Sequence, residues 1–521
     1  MMPRDPDAPL ARLRALVLDP RAHAALLTAC AALVILARAG HGPLANYDDA
    51  YYAEKAKQML RTGDWLTPRF AGLERLDNPP LFLWLMAAAF AVLGVNEFAA
   101  VMWSALSGVA CVALTFRLAR RLGLEAFEAW AAGLVLLATG YVLKYSNHAM
   151  LDVFMTALFL MALLAYRRAW EGERRAWVVL GALTGLGVLT KSALGLFPLL
   201  LVALHAAWCR RLRRSWATGA WLAPLAAIAV LLPWYGYQLA THREAFVREH
   251  VSWLLFQRGL GTGVESRSPW SPFGYVRELV ITYWPWLPCA AFGLWLAARE
   301  SFAPLTVYTS AAAMPREWKP RDSARLLLLW PVVVLAVLSA AHEQKLWYAM
   351  SVFPALALLS ARALGVWVTG ERARSRAVLT GFSLAAAAGA VLALTPIGTP
   401  PPRRPDVQAL AEVARSTVDD GDAIEFAGGN YYSIAHQFVF YSDRLLLQGR
   451  GDPDEVRVAL DRGRWALVES ARYARVTGGD RARYPMAASA GNWALVHVAP
   501  APSLRFGPAP RAVTPRTGSP E

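Results

Sequence analysis

Long apolar runs, separated by short polar stretches rich in arginine, set the pattern of this chain from residue 22 to residue 395. The runs at 22–37, 98–116, 127–143, 151–166, 176–190, 193–208, 216–237, 275–298, 326–341, 346–366 and 377–394 each approach the length a helix needs to cross a bilayer. They predict about eleven transmembrane helices in a mainly α, polytopic membrane protein. A further apolar run, 81–93, is short and is followed by Asn96 and Glu97, so it reads as a helix lying flat or re-entering. The first long polar segment, 38–97, holds its own helical pattern between Ala50 and Arg61. There Tyr52, Ala56 and Met59 share one face, while Glu54, Lys55, Lys57 and Arg61 fall on others. Asp48 or Asp49 is placed to cap its start and Gly63 to end it. A polar stretch covers 238–271. A proline-rich linker at 396–405 precedes a change of pattern. Over 406–500 amphipathic helices alternate with short strands near 423–426, 444–448, 465–468 and 493–498, as in a small α/β domain. The tail 501–521, rich in Pro, Arg, Thr and Ser, reads as disordered.

Charge turns this pattern into a topology. Arg117, Arg120 and Arg121, then Arg167, Arg168, Arg174 and Arg175, then Arg210, Arg211, Arg213 and Arg214 all fall on one side if the 81–93 helix does not cross. Basic clusters stay in the cytoplasm. The N-terminal residues 1–21 are therefore cytoplasmic, the loop 38–97 is extracytoplasmic, and so is the 406–500 domain. If the 81–93 helix crossed, every later cluster would be inverted. The net charge of +15 belongs to this orientation rather than to nucleic acid. The 21 tryptophans suit membrane interfaces. The four cysteines lie in or beside apolar runs with no metal-ligand spacing, which argues against a disulfide framework. The first apolar run has no clear cleavage pattern and reads as a retained span.

On this topology Asp48, Asp49, Asp77, Asp152, Lys191, His250, His342 and Lys345 come out near one face, the extracytoplasmic one. Charges at span ends often only anchor a helix, yet charge within a membrane is costly and usually functional. Asp152 is the sharpest case, inside an apolar run and just after Ser146-Asn147-His148. Gly428-Gly429-Asn430, in the C-terminal domain, is a turn rather than a dinucleotide fingerprint.

The loop carries an ordered set: Asp48-Asp49-Ala50-x-Tyr52-Ala53-Glu54, Gly63-Asp64-Trp65, Thr67-Pro68-Arg69, Gly72, Pro79-Pro80 and Gly94-Val95-Asn96-Glu97. It resembles the first extracytoplasmic loop of the polyprenyl-phosphate-sugar glycosyltransferases, the GT-C class that includes protein O-mannosyltransferases and bacterial lipid A aminoarabinose transferases. Weaker patches continue to Pro354. Thr190-Lys191-Ser192 resembles the family's Thr-Lys-Gly, with Ser in place of Gly. Glu249-His250 resembles its Glu-His, and Lys345-x-x-Tyr348 its late Lys/Tyr segment, although Ser351 stands where proline is usual. Asp77-Asn78-Pro79 departs from the usual Glu-Lys-Pro, so a phosphate-side lysine is missing.

The resemblance implies a bacterial inner-membrane enzyme that takes a sugar from a polyprenyl-phosphate donor outside the cytoplasm. The sugar passes to a lipid, glycan or protein acceptor with inversion. Such a donor carries its own leaving group, so the site needs a base or orienting carboxylate for the acceptor and positive charge for the departing phosphate. Asp48 is the expected base, Asp49 its rival and Asp152 the second carboxylate. Lys191, Arg258, His250, Lys345 and Tyr348 are expected on the phosphate side. Asp77, in place of the family glutamate, and His250 are candidates for a divalent metal, zinc or magnesium, or else for an interface role. A transporter or lipid flippase would share the spans and buried charges, but no internal repeat is visible. A non-catalytic family member is the third reading, because of Asn78.

Overall fold

The computed structural model describes residues 15–45, 47–258, 273–302, 318–395, 404–448 and 452–498, and for 253–258 the backbone alone. The N-terminal residues 1–14, Asn46, most of the 396–405 linker and the 501–521 tail lie outside the described residues. The chain divides into two compact units, 1–403 and 404–521.

The first unit is helical, and the chain is a multi-pass integral membrane protein. Among the described residues six helices are long and apolar enough to cross a membrane, or seven if the bent pair Ala126–Leu137 and Gly140–Ser146 forms one span. His23–Leu36, Leu81–Leu93 and Val352–Trp367 are shorter apolar helices. Two expected spans are broken. The run 127–143 bends by 61° between Leu137 and Gly140. The run 275–298 splits into Gly274–Thr282 and Leu287–Ser301, with Pro285 in the gap; proline removes a donor and cannot continue a regular helix. The polar stretch after Gln238 is also not all loop, since Arg243–Phe246 and a π-helix, Val247–Arg258, lie in it.

Close approach of backbones sets the packing of several helices. A Cβ on Gly181 would run into the carbonyl of Ala223, so Arg174–Lys191 and Leu222–Thr241 meet with nothing between them. Gly293 lets Leu287–Ser301 approach Leu359 in the same way. Small residues are how helices come this near where water supplies no hydrophobic drive between them.

The Asp48–Thr62 helix corrects the two-faced reading. Glu54, Lys55 and Lys57 are all buried. Glu54 and Lys57 pair at 2.6 Å, and Lys55 turns toward Asp77. Ion pairing thus carries inward the residues that a helical wheel assigns to water. Neither Asp48 nor Asp49 is the cap: both lie in the first turn, and the capping position is Tyr47, at φ 71°, whose side chain makes no capping bond to the helix. Gly63 ends the helix in the left-handed conformation, as expected.

The second unit carries a five-stranded sheet in the order 445–447, 423–427, 465–469, 493–496 and 486–490. The first three strands are parallel and the last two antiparallel. Ile424, Phe426, Ala466, Leu467, Val468 and Leu495 are buried in it.

Candidate active site

One cavity of about 970 Å³ gathers most of the charged candidates of the first unit. The start of the Asp48–Thr62 helix supplies Asp48, Asp49 and Tyr52. The segment before Leu81 adds Asp77, Asn78 and Pro79, and the end of Arg174–Lys191 adds Lys191. Lys345 and Tyr348 come from the approach to Val352–Trp367. A cavity of this size with a few convergent polar groups is the usual form of a small-molecule site.

Two expected residues stand elsewhere. Asp152 does not line the cavity: it is 0% exposed, ion-paired through Oδ1 with the Lys191 ammonium, and its Oδ2 has no hydrogen-bond partner. Lys191 also lies over the Tyr348 ring, 4.7 Å from its centroid. The ammonium is thus held between a buried carboxylate and an aromatic face while it borders the cavity. His250 is 4% exposed and off the lining. Its Nδ1 faces the Leu76 carbonyl at 3.1 Å, and its Nε2 faces the Tyr235 hydroxyl at 3.0 Å and Ser192 Oγ at 3.4 Å. Burial lowers its pKa, which favours the neutral ring over a phosphate-binding cation. The side chain of Arg258 lies outside the described residues.

The metal expectation does not fit these residues. Both nitrogens of His250 are engaged, and Asp77 is taken by a cation of the protein itself. Lys55 Nζ, 0% exposed, lies 2.5 Å from Asp77 Oδ1 and donates to Asn78 Oδ1 at 2.8 Å and the Arg75 carbonyl at 3.3 Å. The Tyr51 hydroxyl is 3.2 Å from both Asp77 oxygens, and Lys55 lies 4.2 Å from the Tyr51 ring centroid. Burial alone would push the Asp77 carboxyl up, but Lys55 and the Tyr51 hydroxyl hold it below the usual carboxylate range. Burial lowers Lys55, and it also raises Tyr51 and Tyr52, Tyr52 further because Asp48 is beside it. Among the described residues no group of three or more His, Cys, Asp and Glu could hold a metal ion.

The same network orients Asn78. An ammonium only donates, so the atom facing Lys55 is the amide oxygen, and the amide nitrogen points the other way. A neutral donor therefore stands where the resembling motif has lysine.

Two further features escaped the sequence. Ser192, in the position of the motif's glycine, takes φ 48° and ψ −132°, a conformation that favours glycine. His148, which lines the cavity, places Nδ1 2.7 Å from Asp49 Oδ2. The polar triplet 146–148 ahead of Asp152 is the only sequence signal for it, since Asp49 lies 99 residues away.

Sequence and fold comparisons agree on one class for this helical membrane unit: its similarities are to the membrane-embedded polyprenyl-phosphate-sugar glycosyltransferases, the GT-C superfamily. Residues 77–236 match the family described as dolichyl-phosphate-mannose-protein mannosyltransferase. Among particular relatives, the undecaprenyl phosphate-alpha-4-amino-4-deoxy-L-arabinose arabinosyl transferase of Pseudomonas aeruginosa is 33% identical over 343 residues, 62% of this chain and 57% of that protein. Its counterpart in Pseudomonas savastanoi pv. phaseolicola is 31% identical over 363 residues, 67% of this chain and 63% of that protein. The chain thus spans less than two thirds of the length of these relatives. The fold is similar to that of ArnT from Cupriavidus metallidurans bound to undecaprenyl phosphate, with a TM-score of 0.73 at 18% identity over 90% of this chain and 97% of that one. It is also similar to archaeal oligosaccharyltransferase AglB from Archaeoglobus fulgidus, with a TM-score of 0.56 at 11% identity over 87% of this chain and 70% of that one.

Proposed function

We propose that this chain transfers a sugar from a polyprenyl-phosphate donor to an acceptor lipid, glycan or protein at the extracytoplasmic face of a bacterial inner membrane. The observation that carries the reading is that one cavity is lined by both the Asp48 carboxylate and the Lys191 ammonium, the latter held by Asp152 and Tyr348. The matched relatives are named for an undecaprenyl-phosphate sugar, which supports a donor of this kind.

Lys191 and Lys345 attract the phosphate and stabilise the negative charge that grows on it as the bond to the sugar breaks. Asp152 acts through Lys191, as its counter-ion. Asp48 faces the sugar side of the cavity, as a base or as a fixed negative charge beside the reacting carbon. An acceptor oxygen entering opposite the departing phosphate gives inversion in one displacement.

The orientation has structural support. In Leu151–Trp170, Asp152 is at the cavity end and Arg167 at the other, roughly 22 Å away at 1.5 Å per residue. Arg174–Lys191 likewise has its arginines at one end and Lys191 at the other. In Pro320–Ala340, Arg321 and Arg325 lie opposite the end that lines the cavity. With the arginine ends in the cytoplasm, the cavity opens outside.

The test is product analysis. Membranes that lack or overproduce the chain are given polyprenyl-phosphate sugars radiolabelled in the sugar. Label should pass to a new product only where the chain is present. Label that crosses the membrane still attached to its lipid would instead favour a flippase.

A further inference from the structure

We infer that His148, held by Asp49, is the general base of the transfer, and that the acceptor is therefore a hydroxyl group rather than a phosphate. This rests on the transferase reading above.

The geometry carries the assignment. Asp49 is 4% exposed and its Oδ2 lies 2.7 Å from His148 Nδ1. A carboxylate only accepts, so Nδ1 carries the proton and the lone pair of the neutral ring is on Nε2. Among the described residues Nε2 makes no hydrogen bond, and the side chain, 19% exposed, borders the cavity. The Tyr145 ring, 5.6 Å away centroid to centroid, fixes another side of the imidazole. A buried carboxylate that orients a ring whose other nitrogen faces a reaction cavity is an arrangement for taking a proton. The charged and titratable groups around it are Asp48 and Asp49 from the Asp48–Thr62 helix and Lys144 and Tyr145 from the helix before it. Lys191, Glu343 and Lys345 stand on the other walls.

The chemistry then selects the acceptor. A phosphate monoester is largely a dianion at neutral pH, with a second pKa near 6, so it has no proton to give up and needs cations instead. A hydroxyl must lose its proton as it attacks. The acceptor oxygen bonds to the anomeric carbon while the bond from that carbon to the phosphate oxygen breaks. The hydroxyl proton passes to His148 Nε2, and the polyprenyl phosphate departs with one more negative charge than it held in the donor. Asp49 stabilises the imidazolium. Asp48 keeps its charge and faces the positive character that develops on the sugar ring.

The test uses the full-length protein in membranes, with a polyprenyl-phosphate sugar radiolabelled in the sugar and the membrane's own acceptors. His148→Gln and Asp49→Asn are compared with the wild type at equal amounts of folded protein. His148→Gln should lower kcat by ~10²–10⁴-fold with donor KM within about threefold. Asp49→Asn should lower kcat less and move the acid limb of the pH profile to lower pH, because it removes the charge that holds the proton on the ring. The wild-type product should survive mild acid as a glycoside. A mild-acid-labile product, a glycosyl phosphate, overturns the hydroxyl acceptor. A raised donor KM with normal kcat in His148→Gln makes the ring a phosphate-binding cation and overturns the base. Variants that match the wild type in rate and pH profile overturn it too. No labelled product from the wild type refutes the transferase reading itself, a result distinct from all of these.

Discussion

Replacing Lys55 by Met removes a buried ammonium while it keeps most of the side-chain volume. Asp77 Oδ1 then loses its 2.5 Å partner, and Asn78 Oδ1 and the Arg75 carbonyl lose theirs. The Tyr51 hydroxyl, 3.2 Å away, still donates to the carboxylate. Removing one partner of a buried pair typically costs about 3–5 kcal/mol, because the other charge stays behind. In Lys55→Met/Asp77→Asn that charge is gone; the oxygens of Asn78 and Arg75 are orphaned in both variants alike, and the neutral amide at 77 costs only roughly 1–3 kcal/mol. The double variant should therefore recover roughly 2 kcal/mol over the single one. The pH dependence has a defined sign. In the wild type the Asp77 pKa is depressed, so its contribution is present above the unfolded-state value near ~3.9 and is lost as pH falls through the lower folded value. Without Lys55, burial leaves the carboxyl raised, so its penalty is largest at neutral pH and is relieved by acid. Unfolding in mixed micelles, followed by tryptophan fluorescence at pH 7 and near pH 4.5, measures both effects. A gap between wild type and Lys55→Met that is the same at both pH values, and that Asp77→Asn does not narrow, would refute the reasoning.

Asp48→Asn keeps size and removes a charge that stabilises the transition state, so transfer should fall ~10²–10³-fold while the protein stays folded; normal transfer would remove Asp48 from the mechanism. Lys191→Met should raise donor KM more than about tenfold, and adding Asp152→Asn should restore folding without restoring donor affinity, measured by binding of labelled polyprenyl phosphate. Ser192→Gly should stabilise by about 1 kcal/mol, since the present backbone there costs ~1–3 kcal/mol and glycine loses part of that gain to unfolded-state entropy; a lower unfolding midpoint would contradict this. Phosphatase fused after Thr395 should be active and a fluorescent protein fused there dark if the arginine-rich ends are cytoplasmic, as proposed; the reverse pair would invert the topology.

The apolar helices were legible because apolar length is a one-dimensional signal, but not the number of spans: about eleven were expected, and six or seven of the described helices are long and apolar enough to cross. Their interruptions were not: nothing in Ala138 and Thr139 announces a 61° bend, whereas Pro285 at least marked the second break. Asp48, Asp49, Asp77, Lys191, Lys345 and Tyr348 could be grouped from the resemblance and the topology, and they do border one cavity. Lys55 could not, because a charged residue on an amphipathic helix is assigned to water until its partner, 22 residues further on, is known. The pairing of His148 with Asp49 is hidden in the same way, and only the fold brings them together. The strand Met486–Ala490 was missed because its small, largely exposed residues carry no alternating pattern.

Gly181 lies ten residues before Lys191 in one continuous helix, roughly 15 Å along its axis. The contact of Gly181 with the Ala223 backbone fixes how deeply that helix seats against its neighbour, and so where the ammonium ends up. The tolerance of this protein to sequence drift is therefore not mapped by distance from the cavity. A single added methyl at this crossing, on a face that meets neither donor nor acceptor, would reach the chemistry by shifting the helix. A lineage could lose transfer there while every residue that borders the substrates remained intact.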